Sequence, residues 1–123
     1  MGEQMIRQQA LLAWAVDTFG EVANSPTERA LRLIEEAAEV VQTVGLTKEE
    51  AIRVIERVYS RPAGELGNEL GGLVMTAECL AEVMKHDLYL QADAEYLRIT
   101  SIPKEVWRRK HAEKVQAGTA CKG

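Results

Sequence analysis

"SPTERALRLIEEAAEVVQTVG", residues 25–45, decides the fold class. Ser25 suits a helix N-cap, Pro26 the first turn and Glu28 the reciprocal position of a capping box. Gly45 suits the left-handed residue that ends a helix. Advancing roughly 100° per residue gathers Leu31, Ile34, Ala37, Ala38, Val41 and Val44 into one apolar arc. Glu35, Glu36 and Glu39 fall together in a wedge about 100° wide beside that arc. Like charges three or four residues apart repel. Such crowding needs either plentiful water or a cation.

Working outward, helical spacing recurs and sustained strand alternation does not. A first helix is expected over residues 3–18, with Leu11, Leu12, Trp14, Ala15 and Phe19 as bulk. Thr47, followed by Lys48, Glu49 and Glu50, repeats the capping logic and opens a helix to about Tyr59. "SRPAG", 60–64, is a turn, and a further helix should span 65–85 despite Gly67, Gly71 and Gly72. Asp87 can cap a helix over 88–98. Thr100 or Ser101 before Pro103 starts the last helix, ending near Gln116. Short connections favour antiparallel neighbours, so the expected architecture is all-α, an antiparallel four- to five-helix bundle. It forms a single domain over 1–116 with a flexible tail over 117–123. Leu33, Ile34, Val41, Leu66, Leu70, Leu73, Leu80 and Met84 are its expected core.

The bulk properties narrow the function. The chain has 123 residues, 46% hydrophobic and 28% charged, which suits one folded domain. A net charge of −4 argues against nucleic acid as partner. No apolar run reaches the roughly 18 residues of a membrane span. The opening "MGEQMIRQQALLAWAV" reads as an amphipathic helix and not as a secretory leader. Cys79 and Cys121 lie far apart without a metal-binding spacing, so free thiols in a cytoplasmic setting are expected. His86 and His111 are isolated.

The later helix offers a second acidic face in "GELGNELGG", 64–72, where Glu65, Asn68, Glu69 and Gly72 share one side. Packed antiparallel at roughly 8–10 Å, the two helices would let carboxylates from both clasp an ion. The donors are all oxygen, which favours Mg²⁺, with Mn²⁺ acceptable, over zinc. A solvated acidic surface would present the same pattern.

"EEAAE" at 35–39 followed by "GELGN" at 64–68 or "NELGG" at 68–72 resembles the all-α nucleoside triphosphate pyrophosphohydrolases of the MazG-like group. Their hallmark is EExxE on one helix and ExxD on a later one, and the resemblance covers roughly residues 28–98. It implies a Mg²⁺-dependent nucleotide pyrophosphohydrolase that converts a (d)NTP to the monophosphate and pyrophosphate. A homodimer or dimer of dimers is also implied, and a chain of this size leaves apolar surface for a twofold partner. Glu35, Glu36 and Glu39 match the first motif. The second fits in two registers, Glu65 with Asn68 or Glu69 with Gly72; the latter is favoured by "ELGGLVMTAECLA", and neither supplies the aspartate. The resemblance makes the glutamates and Asn68 metal ligands, with Glu36 or Glu39 activating water. Arg29, Arg32, Lys85 and Arg98 are candidates for binding phosphate, with Lys104, Arg108 and Arg109 behind them. Trp14, Trp107 and Tyr96 suit packing better than base stacking. The alternative is a non-catalytic MazG-like module that binds nucleotide or a partner protein.

Overall fold

A computed structural model describes residues 2–123, save the side chains of 3–5. Among the described residues the chain is all-helical, with no strand. The α-helices are α1 (Glu3–Phe19), α2 (Pro26–Val44), α3 (Lys48–Tyr59), α4 (Leu66–Val83), α5 (Leu88–Ser101) and α6 (Lys104–Gln116). A short 3-10 segment, Gly20–Asn24, links α1 to α2. Among the described residues, no helix is long and apolar enough to cross a membrane.

The boundaries follow local chemistry. Thr47 caps α3 with the full reciprocal box: the Glu50 N–H donates to the Thr47 hydroxyl, and the Thr47 N–H to the Glu50 carboxylate. Asp87 accepts from the Leu90 N–H and caps α5. Gly45 has φ 97°, the left-handed conformation expected of it. At α2 only half of the expected box forms. Ser25 Oγ accepts from the Glu28 N–H, but the Ser25 N–H is already bonded to Val22 O in the 3-10 turn. The Glu28 carboxylate is thereby released for other partners. Residues 99–101 complete α5 instead of opening the next helix, and α6 starts after Pro103.

The chain divides into two units, residues 2–44 with 98–123, and residues 45–97. In the first, Ala15, Thr18, Ala23 and Glu28 are buried. Aromatic rings tie α1 to α6: Trp14 meets Phe19 and Trp107 edge-on at centroid distances of 6.0 and 6.1 Å, and Phe19 lies 5.5 Å from His111. Trp107 Nε1 donates to Ile99 O, Arg108 Nε donates to Thr18 O, and Lys104 pairs with Asp17. The second unit holds α3, α4 and most of α5, and none of its residues is buried.

That last fact corrects the expected core. Leu33, Ile34, Leu66, Leu70, Leu73 and Met84 all remain 38–72% exposed, and Val41 and Leu80 are half-buried. The helical arcs exist as the spacing predicts, but neither unit buries them within itself.

Candidate functional site

Helix α2 carries the acidic wedge. One carboxylate oxygen each from Glu35, Glu36 and Glu39 lie within 4.8 Å of one another. Glu35 is half-buried, whereas Glu36 and Glu39 are exposed. Two cations offset the local repulsion. Lys114 Nζ donates to Glu35 Oε1 at 2.9 Å, and Arg32 Nε stands 3.6 Å from the same oxygen. The donors suit a hard divalent ion, since two oxygens on one Mg²⁺ stand at most about 4.2 Å apart and glutamate rotamers close such a gap. The three carboxylates would hold it, Glu35 by sharing itself with Lys114.

A second cluster lies at the start of α2, around Glu28. Its carboxylate is 1% exposed and meets three basic side chains: Arg32 Nη1 at 3.3 Å, Arg29 Nη2 at 3.6 Å and His111 Nδ1 at 3.8 Å. The Cys121 N–H donates to Glu28 Oε1 at 2.8 Å, and His111 Nε2 donates to Cys121 O at 3.0 Å. Arg32 also donates to Thr119 O. Gly118, at φ 76°, makes this possible by turning the chain back after α6 while the Thr119 N–H caps Lys114 O. The segment expected to fray thus makes specific contacts with α2 and α6. Arg29 and Arg32, expected to await phosphate, face Glu28 instead.

The second motif lies in the other unit. Glu65 is the N-cap of α4, its carboxylate accepting from the Gly67 and Asn68 N–H groups at 3.0 Å each. That task is structural, which leaves Glu69 as the better donor of the two registers. The Glu69 carboxylate lies over Gly64, where an added Cβ would stand 2.9 Å from Glu69 Oε1. Asn68 is exposed, and Gly72 offers no side chain. Lys85 follows the end of α4 with φ 62°. It stands roughly 24 Å along the helix axis from Glu69, so the two cannot share one phosphate. Arg98 lies exposed in the last turn of α5.

Reasoning from sequence missed Lys114 and the burial of Glu28. A signal for Lys114 existed. Lys104, Trp107, Arg108, His111 and Lys114 recur at spacings of three and four on α6, and each makes one of the contacts described above. Compared with known proteins, the chain matches no family model, no curated protein and no solved structure.

Proposed function

We propose that the protein is a Mg²⁺-dependent nucleoside triphosphate pyrophosphohydrolase, cleaving a (d)NTP to (d)NMP and pyrophosphate in the cytoplasm as a homodimer or dimer of dimers. The observation that carries this reading is the convergence of Glu35, Glu36 and Glu39 on one face of α2. The resemblance of EEAAE and NELGG to the MazG-like motifs supplies the reaction class.

Magnesium, held by carboxylates of the α2 wedge, would neutralise the triphosphate and strengthen binding. Glu39, exposed at the end of the wedge, orients a water and accepts its proton. The water oxygen bonds to the α-phosphorus, the α–β anhydride bond breaks, and pyrophosphate leaves. Lys114 restrains Glu35 and tempers the charge of the wedge. Arg29 and Arg32 act on phosphate only by releasing Glu28.

One observation favours a second reading. Glu35 is engaged by Lys114 and Arg32, and Gly72 stands where the family has an aspartate; a module that binds nucleotide or a partner protein without turnover would tolerate both. A panel of (d)NTPs with Mg²⁺ or Mn²⁺ decides between them. Turnover to monophosphate plus pyrophosphate, falling at least about 100-fold in Glu39→Gln, is the expected result. Metal-dependent nucleotide binding without turnover establishes the module. Turnover unchanged in Glu39→Gln places the chemistry elsewhere.

A further inference from the structure

Residues 118–123 fold back on the first unit through Gly118, whose φ of 76° suits glycine and strains any other residue. Two residues grip the first part of this strap. Lys114 O accepts from both the N–H and the hydroxyl of Thr119, at 2.9 and 3.2 Å. Arg32 donates to Thr119 O. Both residues also serve the acidic wedge: Lys114 Nζ donates to Glu35 Oε1, and Arg32 Nε faces the same oxygen at 3.6 Å. Farther on, Cys121 is seated by Glu28 and His111, and Glu28 in turn faces Arg32 Nη1. Arg32 is thus common to the wedge, the buried carboxylate and the strap.

The hold on Arg32 is incomplete. Its Nε and Nη1 are buried and make no hydrogen bond, although carboxylate oxygens lie 3.6 and 3.3 Å away. Buried N–H groups without a bond are costly. The hydrogen bond from Arg32 goes to Thr119 O, a neutral acceptor. A phosphate oxygen in that place would be charged and bonded roughly twice as strongly, and a phosphate can accept from two guanidinium nitrogens at once. A divalent ion on Glu35 would act in the same direction, by drawing that carboxylate away from Arg32. The strap and a metal-bound phosphate therefore compete for one guanidinium.

We propose that residues 118–123 are an autoinhibitory strap: they occupy Arg32, and a metal-bound triphosphate must displace them to engage it. This regulation rests on the metal-dependent triphosphate site of the proposed function, although it requires only binding there and not hydrolysis. By linkage, whatever loosens the strap tightens the anion, and the anion loosens the strap by the same factor.

The test uses the full chain with inorganic tripolyphosphate and Mg²⁺, which reads binding apart from nucleotide turnover. Gly118→Val strains the turn, and Cys121→Pro deletes the N–H that Glu28 receives; neither alters Arg32 or the wedge. Calorimetry should show each variant binding tripolyphosphate about 10-fold more tightly than the parent, with Cys121→Ser unchanged. In the parent, saturating tripolyphosphate should lower the protection of the Cys121 amide at least about 5-fold, followed by NMR. That measurement decides the matter if either variant fails to fold. Equal or weaker binding by the folded variants overturns the strap, as does Cys121 protection that stays the same or rises. No binding by any form overturns it as well. Tighter binding by the variants without turnover of any (d)NTP upholds the strap and removes hydrolysis. Turnover in the parent with unchanged affinity in the variants does the reverse.

Discussion

The two units of this protein are built in opposite ways from the same kind of helix. The first, residues 2–44 and 98–123, buries a carboxylate and holds it with arginines, a histidine and one backbone N–H. The second, residues 45–97, buries nothing and displays leucine, isoleucine and methionine. The first is specified from within, by directional contacts that only one arrangement satisfies. The second has the hydrophobic pattern of core helices with none of its side chains buried. Strong amphipathicity thus marks a face that must be covered, without saying by whom.

The chromophores divide along the same line. Both tryptophans, Trp14 and Trp107, stand in the first unit, and all three tyrosines, Tyr59, Tyr89 and Tyr96, in the second. Tryptophan emission and tyrosine signals therefore follow the two units separately during urea unfolding. The largest stability effect is expected in Glu28→Ala, which leaves Arg29 and Arg32 facing each other without their carboxylate. The loss should be roughly 3 kcal/mol, kept from going higher because Arg29 reaches water. It should appear in the tryptophan transition and not in the tyrosine one. Equal shifts in both would break the contrast between the units.

A smaller effect sharpens it from the other side. Thr47→Ala removes the cap of α3 and should cost about 1 kcal/mol, read as faster amide exchange over the first turns of that helix. The tryptophan transition should not move. The smallest effect is a pH dependence at the same place. The backbone N–H of Thr47, then its hydroxyl, hold the Glu50 carboxyl below its ordinary range. A carboxylate with a lowered folded pKa favours the fold above the unfolded value and ceases to do so as pH falls through the folded one. Protection of the first amides of α3, relative to their intrinsic exchange rate at each pH, should therefore fall as the solution is acidified below the ordinary glutamate range. Thr47→Ala should move the Glu50 titration midpoint, followed by NMR, back up. Because the backbone N–H at 47 remains in that variant, an unmoved midpoint would show that the hydroxyl takes no part in lowering it.

Much of the fold was legible because caps and helical periods are local. Thr47 with Glu50, Asp87 and Gly45 each acted within a few residues, where sequence alone carries the information. The acidic wedge was legible for the same reason, since i, i+3 and i+4 positions share a face. What escaped depended on competition for the same backbone group or on distance along the chain. Glu28 was expected to complete a box with Ser25, but the 3-10 turn had already taken the Ser25 N–H, a competition that only the folded backbone reveals. Arg32 looked available for phosphate because Thr119 is separate from it until α6 returns beside α2, although Glu28, one turn earlier on α2, was a partner that the spacing offered. The core failed as an expectation for a different reason: periodicity locates an apolar face, whereas burial requires something to lie on it.

The contacts that tie residues 119–121 to Glu28, His111 and Arg32 are made by peptide groups: the Cys121 amide, the Cys121 carbonyl and the Thr119 carbonyl. Almost any side chain at 119 or 121 leaves those atoms in place, so this stretch can drift in composition and still find its seat. Proline at 121 is the exception, since it deletes the hydrogen that Glu28 receives. A segment that looks like filler to anyone scanning letters is thus anchored by the one part of the polymer that letters do not spell.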